Sequence, residues 1–414
     1  MLHKLTASAT AGVEKIRIPV DELKLGMFVK ELDCPWIDSP FLVHGFVVRD
    51  QKQLDQLRAL CKHVYIDITR ESLAALQKRA SKPAQTTEYQ TSSSFIDNLA
   101  DSQKIHRKAK AVVANMFEDF RNGKLFEPAA MRSAVSSCVD NIIANPDSML
   151  WLTMIKNKDE YTAEHSLNVA LLSITLGRAE GLSAEQLNEL GLCAMLHDVG
   201  KVKIPYEILN KEGSLDAAQF DVMKMHTVHG KKLLLSQKSL PVAAADIALS
   251  HHEKVDGTGY PRGLTADEIP YLVKIVAIAD AYDAMTSGRV YSVAKPAAEA
   301  LKLLLRSKNQ HHDERLLNRF IDCIGVYPIG SIAELNSGEI GIVLPSESED
   351  NLQPVVLVVR DANKQPCKNR YIDLRKDLRP DNGRRYMIRT LHPDRSYGID
   401  LASFNDPRFL SPPA

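Results

Sequence analysis

At 414 residues, with 44% apolar and 25% charged side chains, the chain is too long for one ordinary core and has the balance of a globular protein of two or three domains. Its 52 basic and 52 acidic residues cancel, which excludes a broad electrostatic grip on a nucleic acid polymer or on anionic lipid. Six cysteines without a C-x-x-C pair (Cys34, Cys61, Cys138, Cys193, Cys323 and Cys367) argue against a disulfide framework and a thiolate-ligated zinc site.

The opening M-L-H-K-L-T-A-S-A-T has no apolar core of a signal peptide, and no run reaches the roughly 18 apolar residues of a membrane span, so the expected location is the cytoplasm. After a tail to about Glu14, the strand-like runs E-K-I-R-I-P-V and G-M-F-V sit beside a helical pattern from Gln53 to Leu60. They predict a small α/β module within residues 1–81. Trp36 and Phe41, flanked by prolines, read as loop anchors over a small core rather than as a ligand patch, and His44 and His63 stand there without visible metal partners. The polar stretch 82–94, K-P-A-Q-T-T-E-Y-Q-T-S-S-S from Lys82, predicts a flexible linker. Residues 95–150 follow as connecting helices broken near Gly123 and Pro128, with Val112, Val113, Met116, Phe117 and Phe120 at helical spacing, placed to carry a signal onward.

The chemistry concentrates in residues 151–327. His165 lies at the start of a helix whose apolar face includes Val169, Leu172, Ile174 and Leu176. A second helix opens on the capping-box pair Ser183 and Gln186 and ends in A-M-L-H-D-V-G-K, delivering His197 and Asp198, with Gly200 expected to turn the backbone and Lys201 three residues past the aspartate. Ser214 is expected to open a helix carrying His226 and His229, and a further run ends in His251-His252. A single helical histidine is more often a packed or surface residue, but six of the thirteen histidines fall between 165 and 252, several of them ending apolar helices. A buried carboxylate beside imidazoles is costly without a cation, so the cluster points to a metal centre. His229, three residues from His226, fits a supporting or surface position equally well.

Nitrogen and carboxylate donors without thiolate suit iron or manganese, and zinc or nickel could occupy the same ligands. Five imidazoles and two aspartates exceed what one open catalytic ion needs, whereas two ions sharing Asp198 would use them and leave room for water. A pair of ions ~3.5–4 Å apart clamps an in-line displacement at phosphorus and supplies hydroxide from water acidified to a pKa of roughly 7, which predicts phosphodiester hydrolysis. H-H-E-K-V-D-G-T-G-Y-P-R-G-L then forms a glycine-rich loop on two of the ligands, with Glu253 and Asp256 to orient neighbours and Gly259 and Tyr260 toward substrate. In I-V-A-I-A-D-A-Y-D-A-M, Asp280 and Asp283 are one turn apart on one face. Asp280 is assigned to the metals, Asp283 to holding a ligand or a guanine edge, and Arg289 to a planar or phosphate partner.

Beyond Pro328 the runs G-S-I-A-E-L, G-E-I-G-I-V-L and P-V-V-L-V-V predict a β-rich appendix over 328–414, with the basic run R-K-D-L-R-P-D-N-G-R-R as a solvated turn and L-S-P-P-A as a frayed end. The fold class expected is therefore mainly α, a central helical domain flanked by a small α/β module and a β-rich appendix.

H-D-V-G-K, His226 with Gly230, H-H-E-K-V-D-G-T-G-Y-P and A-I-A-D-A-Y-D-A-M together resemble the HD-GYP branch of the HD phosphohydrolases over roughly residues 151 to 325. L-K-L-G-M-F-V and V-Y-I-D resemble the small N-terminal domain often joined to that branch. The resemblance implies hydrolysis of cyclic di-GMP to linear pGpG, with a further cut to GMP open. It implies metal ligation by His165, His197, Asp198, His226, His251, His252 and Asp280, with Asp198 bridging two ions, iron or manganese. Lys201 would meet the scissile phosphate, Gly259 and Tyr260 the nucleotide, and Arg289 a guanine or phosphate. Tyr161 stands where some members carry a glutamate for a third ion, which favours two, and Ser292 stands where a basic residue usually follows R-x-Y. A phosphodiesterase for another cyclic dinucleotide such as cyclic GMP-AMP, or a non-catalytic receptor signalling through protein partners, are the other readings, and a homodimer is compatible with all three.

Overall fold

The computed structural model describes residues 15–23, 27–34, 45–67, 86–124, 126–155, 161–237, 240–287, 294–345, 353–381 and 383–410. Trp36, Phe41, His44, Arg289 and Ser292 lie outside them. The chain divides into two compact units: residues 1–82 with 253–271, and residues 83–252 with 272–414.

The first unit holds the expected α/β module. Strands β1 (Lys15–Pro19), β2 (Phe28–Leu32), β3 (Phe46–Val47) and β4 (His63–Asp67) form an antiparallel sheet in the order β1-β4-β2-β3. Helix α1 (Gln51–Leu60) is capped by Asp50, whose carboxylate accepts the Gln53 amide, and turns Leu54 and Leu57 onto a core with Val29, Val48 and Val64. The Cys34 and Cys61 thiols meet there at 3.7 Å, and every cysteine is a free thiol.

In the second unit, α2 (Phe95–Arg121), α3 (Pro128–Ala144) and α4 (Pro146–Met154) are joined by a buried polar network in which the Ser102 hydroxyl contacts Asn141 Oδ1 and Ser148 Oγ at 2.9 Å each. Phe95 meets Trp151 edge to face at 6.0 Å. These helices, expected as connectors, share one core with α5 (Tyr161–Ala179) and α6 (Ala184–Met195). The linker differs from expectation in the same way. Thr87 donates its amide to Gly181 O at 2.8 Å, Ser92 to Ala144 O at 2.9 Å, and Tyr89 its hydroxyl to Leu182 O at 2.9 Å. Polar composition signalled a free chain, yet this stretch satisfies carbonyls left open near the ends of α3 and α5.

The chain continues through a 3-10 turn at Val199–Lys203, a short α7 (Tyr206–Leu209), α8 (Ala217–Leu235), α9 (Val242–Ser250), α10 (Tyr271–Thr286), α11 (Ala297–Arg306) and α12 (Glu314–Ile324). Ser183 and Gln186 make the expected capping box on α6, whereas α8 is capped by Asp216 with Gln219, two residues beyond the expected Ser214. Asp216 wins because Gln219 lies three residues after it and can return the hydrogen bond.

The C-terminal part is a five-stranded antiparallel sheet, β8-β7-β6-β5-β9, from β5 (Ile332–Leu335), β6 (Ile340–Leu344), β7 (Val355–Arg360), β8 (Pro366–Asp373) and β9 (Ile388–His392). The first three match the apolar runs. Strands β8 and β9 lie at the edges, and β8 buries only Ile372 fully, so neither shows an apolar run in the sequence. The basic run is a turn region in which Arg375 grips Asp373 through two bonds of 2.8 and 2.7 Å. No helix among the described residues is long and apolar enough to cross a membrane.

Candidate metal centre

Three helix ends and two helix interiors build the site. His165 is in the second turn of α5, His197 and Asp198 follow the end of α6, His226 is on α8, His251 and His252 follow α9, and Asp280 is on α10. Gly200 lies in the expected turn, the 3-10 segment Val199–Lys203, and also lets two of these meet by close approach. A Cβ there would lie 1.9 Å from His226 O and 2.4 Å from Gly230 N, so the 3-10 turn rests directly on the backbone of α8. That contact brings Asp198 beside His226.

The structure brings all seven expected donors together. One group comprises His165, His197 and Asp280, and a second His226, His251 and His252, the donor atoms in each lying within 4.8 Å of one another. Asp198 stands between them. Its Oδ2 is 3.6 Å from His165 Nε2 and 3.3 Å from His197 Nε2, while its Oδ1 is 3.5 Å from His226 Nε2 and 3.7 Å from His251 Nε2. One carboxylate oxygen thus faces each group.

The tautomers follow from the hydrogen bonds. His197 Nδ1 donates to Ala194 O at 2.7 Å, His226 Nδ1 to Met223 O at 2.6 Å, and His251 Nδ1 to Ile247 O at 3.0 Å. A carbonyl only accepts, so each Nδ1 carries the proton and each neutral ring presents a bare Nε2 inward. His226 Nε2 and His251 Nε2 then face each other at 3.3 Å, lone pair to lone pair. His197 Nε2 and Asp198 Oδ1 are buried and make no hydrogen bond. Converging buried acceptors without a donor are the arrangement a cation satisfies, and the donor set fits a divalent metal.

Charge states agree with this. Burial would raise the Asp198 carboxyl, but the Lys201 ammonium holds it well below the usual range. Burial would also raise Asp280, but the hydrogen bond and charge of His165 outweigh it and hold Asp280 well below its usual range. Burial lowers His226 and takes His251 well down, and brings His252 to about 3, so these rings stay neutral and ready to ligate. Burial also disfavours the charged form of His165, yet Asp280 and Asp283 outweigh it and raise its pKa. A proton and a cation therefore compete at this ring, and metal affinity should fall as the pH drops through its raised pKa. Calorimetric metal titrations in buffers of unlike ionisation heat should detect proton release on loading. Buffer-independent heat would contradict this.

The remaining residues divide. Lys201 pairs with Asp198 Oδ2 and is mostly buried. Asp283 is buried, with His165 Nδ1 at 2.8 Å, Asn168 Nδ2 at 3.1 Å and Ser287 Oγ at 3.2 Å. Those partners turn its carboxylate inward to hold His165, which fits the ligand-holding alternative rather than the guanine edge expected among the substrate contacts. Asn168, one turn after His165, was not singled out from sequence, though its spacing puts it on the same face. Glu164 turns to Lys110 at 2.9 Å and is not a donor, and His229 stands outside both groups. In the first unit, Glu253 folds the glycine-rich loop by accepting the Arg262 and Leu264 amides at 2.7 and 2.9 Å. Gly259 sits where a Cβ would be 2.3 Å from Lys254 N, and Tyr260 beside it is half-buried.

Residues 150–316 match the HD domain family, and residues 15–131 match a domain of unknown function, DUF3391. The chain is 35% identical to cyclic di-GMP phosphodiesterase PA4108 of Pseudomonas aeruginosa over 367 residues, 86% of this chain and 88% of that one. A cyclic di-GMP phosphodiesterase of Thermotoga maritima is 39% identical over 40% of this chain and 45% of its own, and a 3'3'-cGAMP-specific phosphodiesterase 2 of Vibrio cholerae is 35% identical over 41% and 32%. With the histidine and aspartate motifs converging as they do and the match to the Pseudomonas enzyme running nearly end to end, the chain belongs to the HD-GYP family of cyclic di-GMP phosphodiesterases.

Proposed function

We propose that this chain hydrolyses cyclic di-GMP to linear pGpG in the cytoplasm, with two divalent cations, iron or manganese, held by the seven donors. His165, His197 and Asp280 would hold one and His226, His251 and His252 the other, with Asp198 bridging. The observation carrying this reading is the inward convergence of bare Nε2 atoms around one carboxylate, each of whose oxygens faces a different donor group. When bound, the ions would supply a nucleophile competent at neutral pH and a positive field at the scissile phosphorus.

The chain's own residues do the rest. Asp283 keeps the proton of His165 on Nδ1, so that Nε2 faces inward. Lys201 adds a cation beside Asp198, placed to offset charge that grows on the phosphate oxygens as the bond breaks. Gly259 and Tyr260 would meet the nucleotide, the glycine letting the loop pack on its own backbone at Glu253 and Lys254 and the ring offering a stacking face, and Arg289 would meet a guanine or phosphate.

Purified protein loaded anaerobically with iron or manganese should open cyclic di-GMP to pGpG faster than it cleaves 3'3'-cyclic GMP-AMP or bis-p-nitrophenyl phosphate, followed by chromatography of the products. Faster turnover of cyclic GMP-AMP would replace the substrate, and tight binding of cyclic di-GMP without turnover would make the protein a receptor.

A further inference from the structure

The loop 253–271 begins where His251-His252 ends and runs into α10, the helix of Asp280, yet it belongs to the same compact unit as residues 1–82. Much of its shape is local. Glu253 gathers the Arg262 and Leu264 amides, Asp256 forms an isolated bridge with Thr265, and Glu268 accepts both the amide and the hydroxyl of Thr265 at 2.8 Å.

Arg49 ties that loop to the N-terminal module. It stands between β3 and α1, its amide donating to Gln53 Oε1 at 2.8 Å, which fixes it to the first turn of the helix. Its guanidinium Nη2 donates to Gly263 O at 2.7 Å and lies 3.0 Å from Glu268 Oε2. The Glu268 side chain is only 4% exposed, and a carboxylate so buried is costly unless a cation answers it. The two N–H bonds of this one nitrogen, held in the guanidinium plane, serve the carbonyl and the carboxylate together.

We propose that Arg49 is a positioning residue: the N-terminal module helps to hold loop 253–271 in its substrate-binding shape through this side chain, so that loss of the Arg49 contacts weakens dinucleotide binding. The kinetic half rests on the function proposed above. The mechanical half does not.

The test uses full-length, metal-loaded protein. In Arg49→Ala, hydrogen exchange over residues 262–268 should accelerate about tenfold, the size expected for losing a charge-assisted bond, with Arg49→Lys intermediate. The KM for cyclic di-GMP should rise about tenfold while kcat moves less than about twofold and metal content is retained. Adding Glu268→Gln to Arg49→Ala should change little more than either alone, because both remove the same contact. Unaltered exchange in the loop would overturn the clamp. Faster exchange with an unmoved KM would overturn its link to substrate. Wild-type protein inactive on cyclic di-GMP would defeat the proposed function, and the exchange measurement would still decide the clamp.

Discussion

Asp198→Ala should lose metal and turnover together, with hydrolysis of cyclic di-GMP falling by about a thousandfold or more, since a metal contributes several kcal/mol of charge stabilisation at the transition state. One oxygen of Asp198 approaches His165 and His197, the other His226 and His251. Its loss removes the carboxylate standing between the two groups and leaves Lys201 without its anionic partner in a mostly buried place. The measurements are metal content by elemental analysis and turnover of cyclic di-GMP on the same preparation. Full metal content with full turnover would show that the site lies elsewhere.

Gly200→Ala should be the most disruptive single-methyl change in the centre. The added Cβ would meet His226 O and Gly230 N at 1.9 and 2.4 Å, both backbone atoms that cannot rotate aside. Separating the 3-10 turn from α8 should cost roughly 3 kcal/mol or more, the upper range for overpacking, and should pull Asp198 from His226. Thermal unfolding would show a lowered midpoint, and metal affinity would fall with it. A variant of wild-type stability and metal content would mean that the turn can shift without consequence. Gly230→Ala is the milder companion, because its nearest neighbour at 3.2 Å is the Cβ of Ala248.

Much of the donor set was legible because the information is local. His197-Asp198 and His251-His252 are adjacent pairs following helix ends, and Asp280 with Asp283 follows from helical phase. Capping logic found the start of α6 and missed that of α8 by two residues, where Asp216 outcompetes Ser214. The rest depends on what the sequence does not display. Gly200 is explained by a backbone 26 residues away, and Asp283 has two polar faces until Asn168 and Ser287 show which way its carboxylate turns. Residues 86–93 read as free because their side chains are polar, but their backbone bonds hold them. The contact from Arg49 to Gly263 spans 214 positions, and no local pattern announces it. Arg289, expected at the substrate, lies outside the described residues.

The histidines are not supported alike. His197, His226 and His251 each lean on a main-chain oxygen three or four residues back in their own helical segment, while His165 leans on the Asp283 carboxylate. An anion behind an imidazole makes it a more electron-rich ligand than an amide does. The two halves of the centre are therefore electronically inequivalent, and a pair of ions entering it would differ in affinity and in redox potential, filling in sequence rather than as twins.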